Sequence, residues 1–283
     1  QNGMERMFTK QENVFFYITT MNENYSHPEL IKGQEKNIVK GMYLLQNGKK
    51  GDIRVQLLGS GSILRESIEA ARILSNEYNV QADIWSCTSF NELKREGDEI
   101  SRWNLLHPEK KPRLSFVTKC LEKTKGPVVA ATDYVKLFAD QIRAYVPKSY
   151  TVLGTDGFGR SETRDALRHF FEVDRYYIVL TAIRALANEN TIEMGMVEKV
   201  MEKYNCRSIV FSSSATIYGS KFNGLITESS EIAPSNPYGQ TKLTVEKLLG
   251  DIYHSNSGNW RIANLRYFNP VGAHSSGLIG EDP

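Results

Sequence analysis

Tyr238 and Lys242 stand four residues apart in SNPYGQTKLTVEKLL, Ser235–Leu249. On a helix that spacing stacks the two side chains on one face. An ammonium beside a phenol favours the phenolate. A tyrosine held this way accepts a proton from an alcohol while hydride leaves the same carbon for an acceptor. The pair alone is a weak signal, because two polar residues on a solvated helix face satisfy it equally well.

Its surroundings sharpen it. The apolar run RSIVF leads into SSSATIYG, Ser212–Gly219, and the run RIANLRY leads into RYFNPVGAH from Arg266 onward. Both read as strands, and ligands of open parallel sheets bind just outside such strand ends. Between them Pro237 suits a first helical position, where its missing N–H costs nothing. Val245, Leu248, Leu249 and Ile252 give that helix a buried face. A dinucleotide site of this kind also needs a glycine-rich turn upstream, whose backbone N–H groups approach a pyrophosphate at a helix N-terminus. Two clusters compete for that role. Gly59-Ser-Gly61-Ser-Ile-Leu64 lacks the third glycine, and Gly154-Thr-Asp-Gly157-Phe-Gly159 has the wrong spacing. Both read better as tight strand-to-helix turns.

The elements upstream alternate regularly. Glu12–Thr19 reads as a strand and Gln34–Leu45 as helical, followed by the linker-like QNGKKGD, Gln46–Asp52. Ile53–Leu58, Ala82–Trp85, Val128–Thr132 and Tyr150–Leu153 read as strands. Leu64, Ile68, Ala71 and Leu74 recur at helical spacing, as do Val135, Phe138, Ala139 and Ile142. Such alternation implies an α/β fold, a mainly parallel sheet covered on both faces.

Composition narrows the function class. The 283 residues are 40% hydrophobic and 24% charged, with a net charge of +2, which fits a globular chain and offers no general field for nucleic acid or an anionic membrane. The basic run His107–Arg113 reads as a solvated loop. No apolar run is long enough to cross a membrane, and no charged-then-apolar segment opens the chain. Cys87, Cys120 and Cys206 are far apart and odd in number, which points to packing thiols in a reducing, cytoplasmic compartment. The five histidines make no ligand pair at helical spacing, so no metal site is expected. His27 reads as an ordinary loop histidine. A first residue other than methionine and a stop at GEDP suggest a chain whose ends are cut from longer sequences.

From about Val200 to Pro283 the motifs SSSATIYG, NPYGQTK and LRYFNPVGAHSSGLIGEDP resemble the UDP-glucose 4-epimerases of the extended short-chain dehydrogenase family. The resemblance implies Tyr238 as catalytic base, and Lys242 as the residue that tunes it and holds the nicotinamide ribose. It implies Ser214 on the sugar hydroxyl, Ser212 and Tyr267 beside NAD, and Asn269 facing the nucleotide sugar. From Gln1 to about residue 195, QENVFFYITTMNENY, VQLLGSGSILRESIEAARIL, RWNLLHP, GPVVAATDYVKLFADQIRAYVP and VLGTDGFGRSETRDALRHFFEVD resemble the homodimeric type of pyruvate dehydrogenase. That family uses thiamine diphosphate with Mg, and no residue here carries over as a ligand of either.

The two resemblances imply three segments. Residues 1–51 are the tail of a thiamine pyrimidine-binding domain plus linker, 52–196 a transketolase C-terminal-like domain, and 197–283 an incomplete Rossmann-type fragment. The join falls near Gly195–Cys206. The NAD site is then partial, the thiamine site is missing, and the fusion is expected to be inactive, its two ends less ordered than its centre. Two alternatives stay open: epimerase activity on a UDP-sugar in the last segment, or a module that self-associates or pairs with full-length pyruvate dehydrogenase. Whether such a fusion is natural, an assembly artefact or engineered is open at this stage.

Overall fold

The computed structural model describes residues 1–18, 24–204, 208–219, 225–255 and 260–268. The chain divides into two compact units, Gln1–Val200 and Met201–Pro283.

The first unit opens with a short helical turn, α1 (Asn2–Met4), running into a π-helical turn at Glu5–Thr9. Residues 12–18, expected as a strand, form no regular element. A strand persists only where a neighbour accepts its backbone groups, and none of the described strands pairs with this segment. Phe15, Tyr17 and Ile18 are accordingly exposed.

The expected helix over Gln34–Leu45 is also corrected. It stops early, as α2 (Glu35–Lys40), and Met42–Gln46 is strand β1. Gly41 makes the break. Its φ of +106° is the left-handed conformation that favours glycine, and its N–H donates to the carbonyls of Asn37 and Ile38. A Cβ at this position would also lie 2.6 Å from the Ser89 carbonyl oxygen.

The elements that follow are β2 (Arg54–Gly59), α3 (Ile63–Tyr78), β3 (Gln81–Cys87), α4 (Phe90–Leu106), α5 (Phe116–Leu121), β4 (Val128–Ala131), α6 (Lys136–Asp140), β5 (Tyr150–Leu153), α7 (Arg164–Phe170) and α8 (Arg175–Asn188). The five strands form one sheet in the order β1-β3-β2-β4-β5. β3, β2, β4 and β5 run parallel, and β1 pairs antiparallel with β3. β1 thus belongs to this sheet although it lies in the segment that the sequence reading set apart as 1–51.

Parallel strands are buried on both faces and read as apolar runs; β2 to β4 are buried along nearly their whole length, but only β4 is apolar throughout. Leu58, Trp85, Val128 and Ala130 meet Phe90 and Leu93 of α4, Val117 and Leu121 of α5, and Ala139 of α6. The opposite face is covered by α3 and α8, with Ile178, Ala182 and Ile183 of α8 fully buried. The caps are local: Ser89 Oγ accepts from the Glu92 N–H, and Asp174 accepts from the N–H groups of Tyr176 and Tyr177.

One polar cluster is buried in the sheet. Gln56 donates to Asp83 and accepts from the Trp85 indole at 2.9 Å, and Arg54 pairs with Asp83 at 2.6 Å. Burial works against the Asp83 carboxylate, but the bonds from Arg54 and Gln56 outweigh it and hold its pKa below the ordinary value. Cys87 and Cys120 lie in or against the core. Burial pushes the Cys87 thiol far up and the Cys120 thiol up to about 11, so both stay protonated packing groups. Cys206 lies outside the described residues.

Helix α9 (Gly195–Lys203) carries the division between the units, which falls after Val200. In the second unit β6 (Ser208–Ser214) runs into a 3-10 turn (Ala215–Tyr218), α10 (Pro237–Ser255) follows, and β7 (Arg261–Tyr267) pairs parallel with β6. Its buried apolar cluster is small: Ile217, Tyr218 and Leu243.

Candidate functional site

The register of the second sheet sets Ser214 opposite Tyr267 and Ser212 opposite Leu265. Parallel strands put both C-terminal ends at one edge, so Ser212, Ser214 and Tyr267 share it. Helix α10 starts beside that edge. Asn236 caps it, its Oδ1 accepting the Gly239 N–H at 2.7 Å. Gly239 is required there, since a Cβ would lie 2.7 Å from the Thr216 carbonyl oxygen. Its absence lets the first turn of α10, with Tyr238, lie against the 3-10 turn.

Lys242 Nζ donates to the Ser212 carbonyl at 2.8 Å and sits 5.4 Å from the centre of the Tyr238 ring. Tyr238 and Tyr267 are both more than half exposed. Ser214 Oγ accepts from the Thr216 N–H and hydroxyl, capping the 3-10 turn. Ser213 is buried, and its hydroxyl faces the Glu246 carboxylate, whose pKa it helps to lower. Asn269 lies outside the described residues. The structure therefore brings Tyr238, Lys242 and the Ser212 backbone together, with Ser214 and Tyr267 on the same strand edge.

One constellation was missed from sequence. Arg266 donates to the Glu246 carboxylate at 2.7 Å and to the Tyr218 hydroxyl at 2.6 Å, tying β7 to α10 and to the 3-10 turn. Glu246 is buried and lies one helical turn after Lys242, so the ion pair fixes the helix that carries the candidate base. Burial opposes ionisation of Glu246, but the Arg266 guanidinium outweighs it and lowers its pKa; the bond to Glu246 raises that of Arg266. The signal available was a charged residue at each of two otherwise core-facing positions, Glu246 in VEKLL and Arg266 in NLRYF.

A phenol, an ammonium and hydroxyls at one strand edge suit the ribose end of a dinucleotide. The pyrophosphate end is different. In the second unit Gly219 has a positive φ of +72°, but a Cβ there would lie 2.1 Å from the Ala233 carbonyl oxygen, so that turn is filled by chain. In the first unit the leading glycine of each cluster is filled as well. A Cβ on Gly59 would lie 2.8 Å from Leu64 Cα and from Ser67 Oγ, and one on Gly154 would lie 2.7 Å from the Lys136 nitrogen. These two glycines let backbone pack on backbone, whereas a Cβ on Gly157 or Gly159 would meet nothing within 4 Å.

Comparison with known proteins defines two classes within one chain. Residues 41–174 match the profile of the transketolase-like TK C-terminal domain, and residues 179–280 that of the NAD dependent epimerase/dehydratase family. The first unit accordingly holds a transketolase C-terminal-like domain on a mostly parallel sheet, and the C-terminal part a Rossmann-type region. More particularly, the N-terminal part matches the pyruvate dehydrogenase E1 component, whose middle-domain profile covers residues 1–28. The chain is 55% identical over 207 residues to that component from Cupriavidus necator, and 54% identical over 206 residues to the one from Pseudomonas aeruginosa. Each alignment covers 72% of this chain and 23% of the relative, so the chain spans less than a quarter of their length. A solved UDP-glucose 4-epimerase from Bifidobacterium longum, in complex with NAD+ and UDP, is 24% identical over 81% of this chain and 57% of that one. Its TM-score of 0.25 is too low to bear on the fold.

Proposed function

We propose that the chain joins an assembly segment of pyruvate dehydrogenase E1 type to the acid–base corner of an NAD-dependent UDP-glucose 4-epimerase, and that as it stands it does not turn over a UDP-sugar. The observation that carries this reading is the packing of Gly59 and Gly154. The leading glycine of each turn ahead of the Tyr238–Lys242 pair packs against its own fold's chain. NAD supplies a hydride acceptor where an epimerase binds it; here the residues present fit only its ribose end, and no step is assigned to it. The join lies in the segment Gly195–Cys206, and residues 1–51, 52–196 and 197–283 keep the parentage given by their motifs. Asn269 remains the proposed sugar contact, by resemblance alone.

Titration of the chain with NAD and UDP-glucose tests the reading. No saturable heat at about 1 mM ligand is expected. Binding of NAD, with interconversion of UDP-glucose and UDP-galactose that Tyr238→Phe abolishes, overturns it in favour of a working epimerase. That second reading rests on the Lys242–Ser212 bond and the nearby phenol. The assembly role is tested by sedimentation of the chain alone and mixed with a full-length E1 component: a heavier species supports it, and monomer in both cases removes it. A transcript crossing the codons for Gly195–Cys206 identifies a fused gene; reads that stop on either side identify an assembly artefact.

A further inference from the structure

The basic run His107–Arg113 is exposed for most of its length, as its sequence suggests, but it is held in one place, and no part of the proposed function uses it. At the end of α4 the Asn104 side chain makes two bonds to Arg113. Its Nδ2 donates to the Arg113 carbonyl at 2.9 Å, and its Oδ1 accepts the Arg113 N–H at 2.8 Å. Trp103 adds a second hold. The Arg113 guanidinium lies 3.5 Å from the centre of its ring, and the His107 ring stacks on it at 4.4 Å. The chain leaving α4 and the chain approaching α5 are thereby fixed side by side.

Two kinds of side chain gather on this surface. Arg102, Lys110, Lys111 and Arg113 are all exposed, and among the described residues none of the four is in an ion pair. The run itself holds one carboxylate, Glu109. Those one turn before Arg102 on α4 are committed elsewhere: Asp98 to Lys94 and the Tyr145 hydroxyl, and Glu99 to Arg95. Leu105, Leu106 and Leu114 are 77%, 56% and 41% exposed. Leu105 and Leu106 follow Arg102 by three and four residues, so on α4 they are its neighbours. The alternative is that the cations serve only the helix end, which favours positive charge. Lys110 and Arg113 suit that role, both lying over the Trp103 ring. Stacking on a ring aligns a cation without neutralising it. Nor does the role extend to Arg102, which precedes the last turn of α4, and it gives no reason for the leucines. One exposed leucine is ordinary, but three beside four unpaired cations make a patch.

From the unpaired cations and the leucines beside them, we propose that this surface docks an acidic segment of a partner protein. Its carboxylates meet Arg102, Lys110, Lys111 and Arg113, and its aliphatic side chains lie on Leu105, Leu106 and Leu114. Complementary charge sets the sign of the partner. A single-stranded nucleic acid needs aromatic faces on which to stack its bases, and the Trp103 ring already carries Arg113 and His107. A bilayer needs a deeper apolar face than three leucines, since even one acyl chain anchors only marginally.

Fluorescence anisotropy of labelled dodecapeptides titrated with the full chain tests the proposal. One peptide alternates Glu with Leu and a second alternates Glu with Ser. A labelled thymidine oligonucleotide, and co-sedimentation with vesicles of phosphatidylcholine and phosphatidylserine, complete the probes. The Glu/Leu peptide is expected to bind with a dissociation constant of roughly 100 μM or below, and more weakly as salt rises. Arg102→Glu and Lys111→Glu should each lower its affinity about tenfold, equivalent to ~1.4 kcal/mol. Leu105→Ser should lower it as well. Lys199→Glu, on α9, changes the charge of the chain by the same amount and should leave binding unchanged. Arg102, Leu105 and Lys111 are exposed, so their variants are expected to keep the parent's melting temperature, which separates loss of binding from loss of fold. No saturable binding of the Glu/Leu peptide, equal binding by Lys111→Glu and the parent chain, or equal binding of the Glu/Ser peptide overturns the proposal. Tighter binding of the oligonucleotide or the vesicles, lost in the same variants, overturns it in favour of that ligand.

Discussion

Glu246 shows how one side chain decides whether the Tyr238–Lys242 corner has a fixed shape. It is buried on the helix that carries the pair, and among the described residues its ion-pair partner is Arg266. Removing one partner of a buried pair leaves the other charge uncompensated, which costs about 3–5 kcal/mol. Glu246→Ala is therefore expected to destabilise the second unit by about 3 kcal/mol in urea denaturation at pH 7. The pH dependence follows from the lowered carboxyl pKa. Its contribution is fully present above the ordinary glutamate value of 4.5 and is lost as pH falls through the lower folded value. The parent's second unit should lose stability on acidification below that value, and Glu246→Gln should flatten this part of its profile. An unchanged slope in the variant would remove Glu246 from the account.

At the scale of elements, the turn before β4 carries a comparable constraint. Gly126 has a φ of +79°, and a Cβ there would lie 1.8 Å from the Arg54 carbonyl oxygen, inside the backbone of β2. Gly126→Ala meets both a left-handed penalty of about 1–2 kcal/mol and a clash that only backbone movement relieves. It is expected to lower the melting temperature of the first unit by more than about 4 °C, read by calorimetry. The strands beside this turn were legible in the sequence because parallel strands are largely apolar, as in Val128–Ala131 and, Gln56 apart, Val55–Leu58. β1 was not legible. Its residues extend the periodicity of α2, and only Gly41 and the pairing with β3 turn them into a strand. Glu12–Ile18 failed in the opposite way, with strand composition but no described strand to pair with. The candidate site divides likewise. Tyr238, Lys242, Ser212, Ser214 and Tyr267 were proposed from contiguous motifs, and their strand edge is what the fold adds. The Arg266–Glu246 pair depends on which faces the folded chain brings together, and no local spacing encodes that.

Across the whole molecule, the two units differ in what holds them. The first has a five-stranded sheet covered by helices on both faces. Among the described residues the second has a two-stranded parallel sheet, one long helix and a small apolar cluster around Ile217 and Leu243. Small folds bury a smaller fraction of their surface and are correspondingly marginal. Calorimetry of the full chain should show two transitions, the second unit melting first. The variants above assign them: Glu246→Ala should move only the lower transition and Gly126→Ala only the upper. A chain ending at Val200 should retain the upper transition, because every strand of that sheet and both of its helical layers lie before the cut. If a single transition appears and both variants shift it, the halves fold cooperatively. The size of each unit's buried core would then not set its melting temperature, and the ranking of the two units would be withdrawn.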